Sequence, residues 1–203
     1  MPFKKLHPHL LDCLERLEID TPTPFQKSSI PVIKSGANVF CFAEKGSGKT
    51  TALILTTLQK LKCEEVGDAP RAVVMVENKE KALELEEAFL EYTKYTSLRV
   101  YTGYEQLHID VQKSEIYLGV DILITTPKTL HNLFLTNGVS ISELKIISVD
   151  DAEFLMSKKD TTCLIAIAAS IKKCQYVIYS TKQHPQLKRL EDHFMEHSRI
   201  IQA

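Results

Sequence analysis

The stretch that most constrains this chain runs from Asn38 to Thr51: Asn-Val-Phe-Cys-Phe-Ala-Glu-Lys-Gly-Ser-Gly-Lys-Thr-Thr. Val39 to Ala43 is a continuous apolar run, as expected of a strand buried on both faces. Gly46-Ser47-Gly48 breaks the run, and Lys49-Thr50-Thr51 restarts the chain as a helix. Strand, glycine loop and helix start, in that order, make a phosphate-binding loop. Glycines let the backbone curl its N–H groups toward phosphate oxygens, and the helix end adds partial positive charge. In this reading Ala43 replaces a frequent first glycine, while Gly46, Ser47, Gly48 and Thr51 complete the cradle. Lys49 reaches the outer phosphates, and the Thr50 hydroxyl ligates magnesium. The plain alternative is a Gly/Ser turn before a helix that carries a lysine by chance.

Around this stretch the pattern alternates. Leucines at positions 6, 10, 11, 14 and 17 mark a helix over 6–18. Thr23-Pro24-Phe25-Gln26 reads as a helix start, with Thr23 as N-cap and Gln26 closing a capping box; Gly36 ends that helix. Strands are expected over 71–76, 98–101, 121–125, 145–149, 175–180 and, in short form, 199–202. Helices are expected over 78–95, in the polar stretch before Leu118, and over 127–135, 162–172 and 186–197. Strands and helices alternating at this spacing give an α/β fold, a mostly parallel sheet with helices on both faces. With 203 residues the chain makes one domain with a sizeable core.

The formal net charge of −1 excludes a generally basic nucleic-acid-binding domain, so any such site is a local patch. Five cysteines without paired spacing suit reduced thiols and a cytoplasmic location. No apolar run suits a signal peptide or a membrane span. The monomer is the expected state.

A nucleoside triphosphatase holds its magnesium with a carboxylate at the end of a buried strand. Ile146-Ile147-Ser148-Val149-Asp150 supplies one, so Asp150 joins Thr50 as a magnesium residue, partly through water. Asp151 follows and would polarise the attacking water; the alternative is that both acids merely cap a short helix at 152–156.

With these residues assembled, the whole chain resembles the N-terminal RecA-like domain of DEAD-box ATP-dependent RNA helicases. Residues 19–26 look like the Q motif, whose glutamine, here Gln26, reads the adenine edge. Ala43–Thr50 matches the family's phosphate loop, alanine included. Thr102-Gly103 falls at the double-glycine motif, Thr126-Pro127 at motif Ib, Asp150-Asp151-Ala152-Glu153 at the Asp-Glu-Ala-Asp signature, and Ser180-Thr181 at Ser-Ala-Thr. The resemblance implies ATP and magnesium as cofactors, with Lys49, Asp150 and Asp151 in catalysis. It implies RNA, single-stranded or structured, as partner through Lys79, Gly103, Thr126 and Pro127.

The departures weaken the catalytic and RNA expectations. Asp151 is one methylene shorter than the family's glutamate, Glu153 replaces the final aspartate, and Lys182 replaces a threonine. Ile19 replaces the aromatic that stacks on adenine. Glu77-Asn78-Lys79-Glu80-Lys81 replaces Pro-Thr-Arg-Glu-Leu, and Lys128-Thr129 replaces Gly-Arg. Each lost phosphate contact lowers salt-dependent affinity, so RNA binding is expected to be weak. The family's second RecA-like domain, which supplies arginines to the ATP site, has no counterpart after the Ser180-Thr181 region. The chain alone is expected to bind ATP weakly, hydrolyse it slowly and unwind nothing; a natural, divergent single-domain protein is the expectation, with a piece cut from a longer protein as the alternative. The other class of function is a non-catalytic nucleotide-binding or protein-interaction module derived from a helicase. His193-Phe194-Met195-Glu196-His197 matches a zinc-peptidase pattern, but no third ligand accompanies it.

Overall fold

The computed structural model describes residues 2–203. Its strands are β1 (Val39–Phe42), β2 (Ala72–Met75), β3 (Val100–Gly103), β4 (Ile122–Thr125), β5 (Ile146–Val149), β6 (Gln175–Ser180) and β7 (Arg199–Gln202). All are parallel, in the spatial order β3-β4-β2-β5-β6-β1-β7. The helices are α1 (Pro8–Arg16), α2 (Pro24–Lys34), α3 (Lys49–Leu61), α4 (Lys79–Thr93), α5 (Ile109–Tyr117), α6 (Pro127–Leu135), α7 (Lys158–Ala169) and the single turn α8 (Pro185–Lys188).

Strand alternation divides the core into two layers. Val39 and Cys41 of β1, with Ala72 and Val74 of β2, pack under α1–α4 through Leu10, Ile30, Leu53 and Phe89. Phe40, Phe42, Val73 and Met75 turn the other way, onto α5–α8 through Ile116, Leu130, Leu164 and Leu187. Both faces of β1, β2, β4 and β5 are therefore buried, which explains their mostly apolar sequences. The carboxyl ends of the strands share one edge of the sheet, the edge where ligands bind in open α/β folds.

At the far edge of the helix layers, Asp121 is fully buried and holds two arginines. Its Oδ1 accepts from Arg71 Nη2 at 2.6 Å, and its Oδ2 accepts from Arg99 Nε at 3.0 Å. Burial opposes the ionised carboxylate, but the bonds from Arg99 and Arg71 outweigh it and hold the group below the usual carboxylate range.

Several element bounds differ from the sequence pattern. The helix expected over 6–18 runs from Pro8 to Arg16, because Pro8 takes its first position, and a separate 3-10 turn at Pro2–Lys5 precedes it. The helix expected over 162–172 begins four residues earlier, at Lys158, and stops at Ala169. The helix expected over 186–197 does not form as one piece: α8 gives way to a 3-10 turn at Arg189–Asp192. The N–H groups of His193, Phe194 and Met195 then converge on the Leu190 carbonyl. Met195 becomes fully buried, and Phe194 sets its ring 4.6 Å from that of Tyr176. Tertiary packing thus overrides helical continuity, and His197 takes a left-handed φ of 54°. His193 and His197 do not share a helical face, and among the described residues no cluster of three or more metal-ligating side chains occurs.

Candidate nucleotide site and nucleic-acid face

The loop after β1 is built as its residue types require. Gly46 and Gly48 take φ of 79° and 90°, and Gly48 caps α3. The start of α2 is bound to the same loop. Thr23 and Gln26 form the capping box, the Gln26 N–H donating to Thr23 Oγ1 at 3.2 Å and the Thr23 N–H to Gln26 Oε1 at 3.0 Å. The Thr23 hydroxyl then donates to the Ser47 carbonyl at 2.7 Å, and Gln26 Nε2 to the Gly48 carbonyl at 3.2 Å. A Cβ on Gly48 would stand 2.4 Å from Gln26 Nε2, so only glycine admits this approach. Gln26 is 3% exposed, with its Oε1 engaged in its own cap and one Nε2 hydrogen given to the loop.

Lys49 is buried, its ammonium donating to the carbonyls of Ala43 at 2.6 Å and Glu44 at 3.1 Å, with Asp151 Oδ1 at 4.0 Å. Asp150 ends β5, its N–H donating to the Met75 carbonyl at 2.9 Å. Its carboxyl is pushed up to about 6 by burial and by Asp151 beside it, while Lys49 and Lys81 pull the other way. Asp151 has a left-handed φ of 45°, and its side chain makes no cap bond to the turn at Ala152–Met156. The capping explanation for Asp151 therefore finds no bond to rest on. A cleft of about 480 Å³ brings Gly46, Gly48, Lys49, Thr50, Thr51, Asp150 and Asp151 together. Ala43 lies buried beneath it, and the Ser47 hydroxyl is buried without a partner. A second hollow of about 250 Å³ continues the cleft toward Glu153 and Thr181.

Glu153 makes the join between the acidic turn and β6. Thr181 donates to its Oε1 through both its N–H and its hydroxyl, each at 2.6 Å, and Ser180 Oγ lies at 3.1 Å. Burial would raise this carboxyl, but the Thr181 and Ser180 bonds prevail and hold it below the ordinary range. The extra methylene relative to aspartate is thus accommodated in a satisfied contact.

Gly103, Thr126 and Pro127 lie at the same sheet edge. Beside them the starts of α5 and α6 enclose a cleft of about 470 Å³ lined by Glu105, His108, Lys128 and Thr129. Thr126 caps α6, accepting from the Thr129 N–H at 3.2 Å. Its hydroxyl donates to Glu105 Oε1 at 2.9 Å, which places a carboxylate at the helix N-terminus. Lys79 sets its ammonium 5.2 Å from the centre of the Tyr104 ring, a cation–π contact.

Three residues take roles that the motif pattern did not assign. Lys81 lines both parts of the nucleotide cleft, Glu105 engages Thr126, and Thr23 reaches the loop as well as its own helix. In sequence, Lys81 showed only as a charge where the helicase pattern has leucine, and Thr23 only as an N-cap within the Q motif. A further hollow of about 950 Å³, between Asp68, Lys113, Tyr117 and Asn137, is lined by none of these groups.

A family model described as DEAD/DEAH box helicase matches residues 23–190. The pre-mRNA-processing ATP-dependent RNA helicase prp-5 of Neurospora crassa is 33% identical over 139 residues, covering 67% of this chain and 12% of that protein. The ATP-dependent RNA helicase DeaD of Buchnera aphidicola (strain APS) is 27% identical over 201 residues, covering 98% of this chain and 33% of its own length. The chain spans about a third or less of these relatives. Among solved structures, a DEAD box protein from Methanococcus jannaschii superposes with a TM-score of 0.88 at 17% identity, over 98% of this chain and 54% of that one. Saccharomyces cerevisiae dbp5, solved in complex with nup159 and gle1, gives 0.84 at 19% identity over 97% and 52%.

Proposed function

This chain belongs to the DEAD/DEAH box helicase family, and from that premise we propose that it is an ATP-binding RNA helicase core domain. It takes ATP with magnesium in the cleft between the glycine loop and Asp150-Asp151, and hydrolyses it slowly. The observation that carries this reading is the convergence of a buried lysine, a glycine-curled helix N-terminus and two adjacent carboxylates in one cleft.

The residues fit a magnesium ion. Asp150 is a partly buried carboxyl beside a second carboxylate, an arrangement that a divalent cation relieves, and Thr50 adds a hydroxyl in the same cleft. Too few protein ligands are present for a cage, which suits an ion that keeps waters and shares phosphate oxygens. When bound, the ion neutralises charge on the outer phosphates. Lys49 would exchange the Ala43 and Glu44 carbonyls for phosphate oxygens. Asp151 orients the attacking water, with a shorter reach than glutamate. Gln26 stiffens the loop from behind and offers its remaining hydrogen-bonding capacity to adenine.

RNA is the proposed partner, engaged weakly along Gly103, Thr126 and Pro127. Lys79 contributes once it leaves the Tyr104 ring. Full activity needs a second RecA-like domain or a partner protein to bring arginines to the phosphates. Among the described residues no helix is long and apolar enough to cross a membrane. All five cysteines are free, which supports a cytoplasmic location.

Calorimetric titration with ATP and magnesium, with and without single-stranded RNA, tests this reading. Saturable heat with ATP that Lys49→Ala removes is the expected result. No heat with either ligand would overturn it and favour a helicase-derived interaction module.

A further inference from the structure

Lys81 belongs to neither the glycine loop nor the acidic turn, yet it borders both. It stands in the first turn of α4, and with Lys45, Asp150 and Asp151 it is common to the 480 Å³ cleft and the 250 Å³ hollow that continues it. Its ammonium is tied to Glu84 Oε2 at 2.8 Å, in a pair that is 45% and 70% exposed and so open to exchange. Glu84, Asp151 and Asp150 all act to keep it charged. Lys49, the buried lysine of the cleft, is occupied by loop carbonyls. Lys45 is carried on the exposed loop, whereas Lys81 is fixed by a helix whose Asn78 cap accepts from the Lys81 N–H at 3.0 Å.

We propose that Lys81 is a second phosphate-binding lysine, exchanging Glu84 for the outermost phosphate of a nucleoside triphosphate. The inference deepens the nucleotide reading above and rests on it. The outermost phosphate carries more charge than one carboxylate and enters a cleft that Lys81 already lines, so the exchange is favourable. A nucleoside diphosphate lacks that phosphate and leaves Lys81 on Glu84. The lysine therefore discriminates triphosphate from diphosphate within this one chain. Lys45 lines the same two hollows, but from the exposed glycine loop, whereas Lys81 is held in place by α4.

The test compares ATP and ADP affinities, each with magnesium, for the wild-type chain and for Lys81→Leu, Lys81→Arg and Glu84→Gln. Lys81 is half exposed, so these variants keep the fold, and circular dichroism checks it. Lys81→Leu is expected to lose about tenfold in ATP affinity, the size of one charge-assisted contact, with ADP changed less than about twofold. Lys81→Arg retains most of the preference, and Glu84→Gln, which frees the ammonium, tightens ATP. An unchanged ATP-to-ADP ratio in Lys81→Leu, or equal losses for both nucleotides, would overturn the proposal while leaving the nucleotide reading intact. A wild-type chain that binds neither nucleotide would overturn the reading, and this inference with it.

Discussion

Replacing Asp150 by asparagine should make the empty domain more stable while removing its use for magnesium. The carboxyl sits at the end of β5, buried beside Asp151, and is shifted from an ordinary 3.8 to about 6. Each unit corresponds to about 1.4 kcal/mol of preference for the neutral form. A shift of about two units thus sets a ceiling of about 3 kcal/mol on the cost of ionising Asp150 in the folded state. The shift is already net of the favourable pull of Lys49 and Lys81. The sign follows from linkage: a carboxyl raised by folding destabilises the fold wherever it must be charged. The cost is complete above about pH 6.5, about half by pH 5, and gone below the unfolded range. Asparagine keeps the shape and cannot ionise. Asp150→Asn should therefore gain about 1–3 kcal/mol at pH 7.5, or several degrees in Tm for a chain of this size. Thermal and urea unfolding at pH 7.5 and pH 5 read the gap and its narrowing. Equal or lower stability at pH 7.5, or a gap that fails to shrink toward pH 5, would refute the reasoning. The same variant should lose magnesium-dependent ATP binding.

Other perturbations test separate parts of the structure. Asp121→Ala leaves Arg71 and Arg99 without their shared carboxylate, and should cost about 3–5 kcal/mol in urea unfolding. The wild-type contribution of Asp121, whose carboxyl is held low, is present above its unfolded range and fades as pH falls through its depressed folded value. Gly48→Ala forces a Cβ against Gln26 at a φ of 90°; calorimetry should show at least about a tenfold loss of ATP affinity, with about 1–3 kcal/mol lost in stability. Glu105→Gln removes the carboxylate at the start of α6. Fluorescence anisotropy should then show RNA affinity rising several-fold, with a steeper dependence on salt; unchanged binding would count against an RNA face there.

What sequence disclosed was mostly local. The capping box at Thr23 and Gln26, the glycine loop and the acidic turn after β5 are written in adjacent residues whose backbone demands are specific, and each formed as its spacing implied. The alternation of apolar runs with amphipathic segments carried the α/β layering for the same reason. Contacts between distant segments were less legible. Nothing near Lys79 says that Tyr104 will stand over it, nor near Glu105 that the Thr126 hydroxyl will reach it. Lys81 looked like one more charge in an acidic helix until the fold set it against Asp150 and Asp151. The segment after Pro185 has helical periodicity, but burial of Met195 and docking of Phe194 gained more than continuing the helix would have.

The position of β1 in the sheet has a consequence for how the protein comes to exist on the ribosome. Its neighbours are β6 and β7, Val39 pairing with Val177 on one side and Arg199 on the other. The strand that launches the glycine loop emerges before β2–β5, yet both its partners emerge after them. Until they arrive, a bare Val-Phe-Cys-Phe ribbon with open backbone donors and acceptors must wait. The β2, β4 and β5 strands can pair with one another earlier, so the half-built sheet forms first on the side that lacks the loop. The nucleotide cleft is thus assembled only after β6 and β7 have emerged. The nascent chain depends over that interval on slow, long-range pairing and on protection from aggregation.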